Sequence, residues 1–352
     1  MSDRCHPACG ARSTTSTGSR RSSADTANAA RSRTTAWLVI IALAGLAVLL
    51  RLMLGARGWS WPTSDIVDLR MGALVSAAVA GASLGSSGVL LQALLRNPLA
   101  SPFVLGLSSG AGLAVSVASL AASWGAAWLI ADGGMVAASL GSALALILVV
   151  AAGRRHGAID PVTLLLAGVV VASVAGALTI LVQYLMPPSS RGDLMAWAMG
   201  RIPELPERVP LMAGAMLLAS IGWWSVMRAR WLDAACTADD EASSLGVDLP
   251  VLRWKLVVFS GALAGSSVVL CGPIAFVGFV APHIARLLLG AGHRGLVVAS
   301  PILGATLLIA ADALRRVVPI PGSGTLPVAV VTAVLGGPVF LWVLRRHGGR
   351  HT

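Results

Sequence analysis

Leu91-Gln-Ala-Leu-Leu-Arg-Asn-Pro-Leu-Ala-Ser-Pro-Phe-Val-Leu-Gly-Leu-Ser-Ser-Gly-Ala-Gly112 places a polar Arg-Asn pair and two prolines between two apolar runs. Pro98 has no backbone N–H to donate, so it ends the helix that arrives through Gln92. Small residues from Leu105 to Gly112 then open a second helix. The segment reads as helix, sharp polar turn and helix, a geometry that by itself requires no function.

Working outward, the chain is apolar on both sides. Hydrophobic residues make up 56% of the 352 and charged residues only 12%, against roughly 25% charged in an ordinary soluble domain. Aromatics are scarce at 5%, so the apolar mass is Ala, Val, Leu and Gly. This excludes a disordered protein, a disulfide scaffold and a soluble globule of normal make-up. It also excludes an outer-membrane barrel, whose strands alternate polar and apolar residues, because the runs here are long and unbroken. The expected fold class is an all-α polytopic membrane protein. The net charge of +11 does not indicate nucleic acid, since the basic residues lie between apolar runs and not on one face of a soluble domain.

Apolar runs fall at 36–54, 70–95, 103–122, 126–152, 161–186, 209–227, 255–272, 274–288, 295–314 and 326–344. These are ten candidate membrane helices, since about 20 residues span a bilayer's hydrocarbon core. The eighth carries Pro282, His283 and Arg286, so a short or broken helix is expected there. Residues 1–35 read as a disordered basic cytoplasmic tail, 36–346 as the ten-helix domain and 347–352 as a short second tail. With both termini cytoplasmic, eighteen basic residues fall inside and eight outside, as the positive-inside rule requires. A nine-helix count would put the basic C-terminus outside.

Gly81-Ala-Ser-Leu-Gly-Ser-Ser-Gly-Val-Leu-Leu91 recurs 180 residues later as Gly261-Ala-Leu-Ala-Gly-Ser-Ser-Val-Val-Leu-Cys271, with seven of eleven positions identical. The copies lie in the second and seventh runs, which cross in opposite directions. That is an inverted repeat, a common way to build a transport path, with runs 2–5 and 7–10 as its halves. The Gly and Ser also suit close helix packing in lipid, which needs no transport role.

Signals for chemistry are few. The six histidines form no HExxH pair, and Cys5, His6 and Cys9 make only a weak metal signal, so no catalytic residue and no metal ligand is assigned. Asp312 is the one carboxylate deep in an apolar run, thin support for proton coupling. A P-loop needs Gly-Lys-Ser/Thr. The single lysine, Lys255, stands between Trp254 and Leu256, so the chain has no Walker A and is read as no enzyme. ATP and Mg, if used, belong to a separate ATPase chain.

The opening segment resembles the signature of the FecCD family, the permease subunits of bacterial ABC importers for iron–siderophore complexes, haem and vitamin B12. Gly88, Gln92, Asn97, Pro98, Leu99, Ala100, Pro102, Gly106, Ser108, Gly110 and Ala111 match it. Further stretches match in order: Leu164-Leu-Leu-Ala-Gly168, Trp197-Ala-Met-Gly200, Ser244-Leu-Gly-Val247, Gly272 to Arg286, Asp312 with Arg316, and Leu326 to Phe340. Arg70-Met-Gly-Ala73 departs from the family's Arg-x-Pro-Arg, and Ala275, Ala329 and Thr325 stand where Gly, Gly and an acid are usual.

The resemblance implies a type II ABC importer permease in the bacterial cytoplasmic membrane. It would work as a homodimer with two ATPase subunits and a substrate-binding protein or lipoprotein, moving a metal chelate by alternating access. It implies that the inner loop Met227 to Trp254 folds as two short coupling helices with Gly246 at the bend between them. Glu241, Ser244, Leu245, Gly246 and Val247 would meet the ATPase. Asn97 and Leu99 would lie near the cytoplasmic constriction, and Arg70 and Arg316 would dock the binding protein. Gln92, Pro98, Gly106, Pro282, His283, Arg286, Asp312, Pro327 and Pro338 would be framework. From the residues alone, the inner loop also fits an amphipathic element on the lipid surface, and Asp239-Asp-Glu241 a merely solvated face. Asp312 with Arg315 and Arg316 fits an ion pair at a helix end. An ion-coupled secondary transporter, needing no ATPase, is the alternative function.

Overall fold

The structure is a computed structural model and describes residues 23–55, 58–59, 64–130, 132–155, 157–317, 319–320 and 324–348. Thirteen α-helices occur among them. The first half holds α1 (Ser23–Met53), α2 (Ser64–Leu95), α3 (Leu107–Ser123), α4 (Met135–Ala152), α5 (Pro161–Leu185) and the short α6 (Pro188–Ala198). Then come α7 (Arg208–Met227), the short pair α8 (Ala229–Ala235) and α9 (Asp239–Ser244), α10 (Leu249–Cys271), α11 (Val277–Leu289), α12 (His293–Val317) and α13 (Val328–Gly348). Seven are long and apolar enough to cross a bilayer, and α3, α11 and the stretch Val328–Leu341 of α13 are apolar but shorter. The ten apolar runs are therefore ten helices, and the all-α expectation holds.

Local chemistry sets the boundaries. Asp160 precedes Pro161 and accepts the Thr163 N–H at 2.8 Å, and Asp248 accepts the Val251 N–H at 3.2 Å with Pro250 just inside the helix. Both are N-caps followed by proline, whose missing donor costs nothing in a first turn. The boundaries also correct the sequence reading. Helix α1 begins at Ser23, so residues 23–35 are helical and not a disordered tail; Ala24, Ala27, Ala29 and Ala30 are strong helix formers. Residues 1–22 and 349–352 lie outside the described residues. The fourth run starts late, at Met135, because Gly133 and Gly134 take positive φ and interrupt it.

The eighth run is short and not broken. Helix α11 has 13 residues and continues through Pro282; at 1.5 Å per residue it rises about 20 Å, less than a roughly 30 Å hydrocarbon core. Pro282 cannot donate to the carbonyl four residues back. That carbonyl, on Gly278, lies against the backbone of Gly88 in α2, where any Cβ would overlap it. Hence the glycine that opens the 88–112 signature lets α2 close over a carbonyl that the proline leaves free.

Helix α2 is the axis of the bundle and packs on α10, α11 and α12. Ser87 donates to the Ser260 carbonyl at 2.7 Å, and Ser260 donates back to the Ser87 carbonyl at 3.1 Å. Such interhelical bonds in lipid average roughly 0.6 kcal/mol. The two repeat-bearing helices run in opposite directions: Arg96, just past the end of α2, meets the segment leading into α10, while Cys271 at the end of α10 meets Arg201 near the start of α2 and end of α12. Helices α4, α5 and α7 turn rows of Leu, Ile and Val outward, from Leu140 to Leu178 and Met216. In water this surface would be an aggregation hazard; in a bilayer it is the solvent-facing side.

Candidate functional site

Polar groups gather at the two ends of the bundle. At one end, α2 stops at Leu95 and Arg96 turns the chain with φ +49°. The Asn97 N–H donates to the Gln92 carbonyl at 3.2 Å, and Asn97 Oδ1 accepts the Leu99 N–H at 2.9 Å. The Gln92 side chain, buried, donates to the Ala100 carbonyl at 3.2 Å. Gln92, Asn97 and Leu99 thus form one knot, with Pro98 inside it, and Leu99 packs toward Phe279 and Val280 of α11.

Helices α8 and α9 lie against this knot. Their inner faces are apolar: Leu232, Ala242 and Val247 are buried. Glu241, Ser244, Leu245 and Gly246 are exposed, with Leu245 at 66%. Four of the five expected coupling residues therefore share an outward face, and Val247 does not. Gly246 does not sit at the bend between the short helices; that bend is Cys236 to Ala238. At φ +76° it closes α9, with the Gly246 N–H on the Ser243 carbonyl and the Val247 N–H on the Ala242 carbonyl. This pairing satisfies two free carbonyls and needs a left-handed residue, hence glycine. A bend and a cap ask for the same residue, which is why the sequence alone misplaced it.

Acidic side chains hold the pair in place. Asp239 bridges Arg96 and Arg253, taking both oxygens to Arg253 at 2.8 and 2.9 Å. Partial burial pushes the Asp239 carboxyl up, but the hydrogen bonds from Arg96 and Arg253 outweigh it and hold it below the usual carboxylate range. Asp233 accepts from the His293 main chain at 2.9 Å and pairs with its Nδ1 at 2.7 Å, at the first turn of α12. Sequence reasoning missed Arg96, Asp233, Arg253 and His293, and left Asp239 as surface solvation. The available signal was an acidic triplet in an otherwise basic loop.

At the other end Asp312 is fully buried, paired with Arg51 and Arg315 and 3.8 Å from Arg316. The ion pair expected at this helix end is present, with Arg51 as its unforeseen centre. Arg316 also pairs with Glu204 at 2.6 Å and, with Arg201 and Arg315, lines a cavity of about 510 Å³. Arg70 is 6% exposed and donates to the Leu52 carbonyl. It ties α2 to α1.

The remaining motif residues are packing points. Gly106 opens α3 from a left-handed conformation, with φ +69°. The backbone of Gly168 lies on that of Val104, and Gly272 lies on the Trp197 carbonyl, so the motifs touch one another. His283 is buried and stacks on Phe279, ring centroids 6.1 Å apart, while Arg286 is half-buried in the same helix. Pro327 stands at the start of α13, its carbonyl accepting the Val331 N–H at 3.3 Å, and Pro338 lies within that helix.

The model of the FecCD transport family matches residues 43–346. The chain belongs to that family. It is 36% identical over 290 residues to the vitamin B12 import system permease protein BtuC of Vibrio cholerae, covering 82% of this chain and 85% of that protein. It is 34% identical over 315 residues to the hemin transport system permease protein HmuU of Yersinia pestis, covering 88% and 93%. Identity to the Fe(3+) dicitrate transport system permease protein FecC of Escherichia coli is 32% over 297 residues, covering 82% and 85%. A solved structure described as an inward-facing conformation of a metal-chelate type ABC transporter shares the fold at a TM-score of 0.76 and 24% identity, covering 89% of this chain and 99% of that one. This FecCD-family chain is a multi-pass membrane permease, a transport component.

Proposed function

We propose that this permease imports a metal chelate of the siderophore, haem or cobalamin class, driven by ATP hydrolysis in partner subunits. It works as a homodimer, with two ATPase subunits at the Arg96 end and a binding protein at the Arg316 end. This chain carries no ATP site; its part is to alternate between outward- and inward-open states. The family match favours this reading over an ion-coupled transporter, which would move cargo in proteoliposomes with no ATPase present. Arg316 remains the docking candidate, because it lines an open cavity; Arg70 does not.

The observation that carries the reading is Leu245, an exposed leucine on a short helix pair pinned from behind by two carboxylates. Burying such a side chain in a partner's groove contributes roughly 1.5–3 kcal/mol, and a charge placed there costs more. Leu245→Asp should therefore reduce ATP-driven transport about tenfold or more, with the permease itself folding normally. Transport at the wild-type rate in reconstituted vesicles would mean that this face is not the ATPase seat. Val247→Asp, by contrast, should lower thermal stability, because Val247 is buried in its own chain.

The charge split supports a cytoplasmic side for both termini. In a variant with the four native cysteines replaced, a cysteine at Ser189 should label from outside the cell and one at Ser243 only from inside. Labelling of both from one side rejects this orientation.

A further inference from the structure

The α8–α9 pair is fastened to the bundle at two points that hold different things. Asp233 caps the first turn of α12 through His293. Asp239, at the first residue of α9, holds Arg96 and Arg253. Arg96 has a second contact, its Nε donating to the Ala235 carbonyl at 2.7 Å. One guanidinium therefore spans the last residue of α8 and the first of α9 and fixes their orientation relative to its own backbone.

That backbone is where the chain leaves α2. Residues with a side chain rarely adopt φ near +49°, and the next residue begins the Asn97–Leu99 turn. Among the described residues, the Arg96–Asp239 pair is a direct charged contact from α9 to the residue that opens that turn. The side chains are partly open to solvent, Arg96 at 32%, Asp239 at 52% and Arg253 at 17%. Ion pairs this exposed contribute little to stability, so holding the fold together is a poor account of the arrangement; what it sets is relative position. The geometry points to Arg96 and Asp239 as the link that carries a displacement of α9 to the turn bearing Asn97 and Leu99. This rests on the reading of α8–α9 as the seat on the ATPase.

The test uses the whole transporter in proteoliposomes, with its ATPase and binding protein and the native cysteines replaced. An environment-sensitive probe is placed on a cysteine at Ser243, in α9, or at Ser101, just past the turn, and followed on adding ATP. Both signals should change in the otherwise unaltered permease. In Asp239→Ala and in Arg96→Gln the Ser243 signal should persist and the Ser101 signal vanish. Transport should fall about tenfold, within the roughly 5–150-fold that a coupling free energy spans. Asp239→Glu should restore the Ser101 signal, and the double variant should be no worse than either single one, as groups in one link are non-additive. Retention of both signals in Asp239→Ala and Arg96→Gln overturns the link. Loss of both also overturns it, since the bridge would then govern seating and not relay. A Ser243 signal that never responds to ATP, even without these substitutions, overturns the seat reading and the link with it.

Discussion

Asp312→Ala is expected to be among the most destabilising single substitutions in this protein. The carboxylate is fully buried and faces Arg51, 1% exposed, and Arg315, 8% exposed. Removing it takes away the buried carboxylate that both of these guanidiniums pair with. Breaking a buried pair from one side costs about 3–5 kcal/mol, because the stranded charge keeps its desolvation penalty. The permease should show a large drop in its thermal unfolding midpoint in detergent, or fail to accumulate in the membrane. Removing both sides should be milder: Arg51→Met with Asp312→Leu is expected to recover part of the loss, since apolar residues of similar volume often replace a buried pair at little cost. Glu204→Gln supplies the contrast. Its side chain is 44% exposed and that of its partner Arg316 10%, so this pair should be worth less than the fully buried one, on the order of 1 kcal/mol. If Asp312→Ala unfolds with Glu204→Gln, the buried cluster is not a structural centre.

Gly88→Val should come second. The Gly278 carbonyl that Pro282 leaves without its helical donor occupies the space a side chain would need. Backbone cannot rotate out of the way as a side chain can, so α2 and α11 must part. Overpacking a close-packed contact typically costs 1–3 kcal/mol, occasionally more, and a separation at this depth also shifts the Gln92–Leu99 knot four residues on. Lower thermal stability together with lost transport is the expected outcome. Gly88→Ala should show the same effect in smaller measure. A Gly88→Val permease with wild-type stability would show that the helices are not in contact there.

The ten apolar helices could be read directly, because a helix in lipid must be apolar along its own length and must satisfy its own backbone groups. That is a local requirement, and composition records it. The family could be read because its motifs are strings of contiguous residues, and the structure explains why those strings are so constrained: Gly88, Gly168 and Gly272 are points where one motif's backbone lies on another's. The short helices α6, α8 and α9 were less legible, since six to eleven residues give too few turns for a periodic pattern.

What the chain order determined by itself is therefore the number of apolar helices, their sequence, the opposed directions of the two repeat-bearing helices and the family. Only the tertiary structure decided the polar partnerships. Arg51 and Asp312 are 261 residues apart in the chain, and Arg96 and Asp239 are 143 apart. No spacing rule links such pairs; they meet because α1 packs on α12 and because the α8–α9 pair folds back beneath α2. The same packing buried Arg70 and Val247, which the motifs alone had placed at surfaces, and set Gly246 at the end of a helix. Apolar burial is specified residue by residue, whereas a charge finds its partner only after the helices have taken their places.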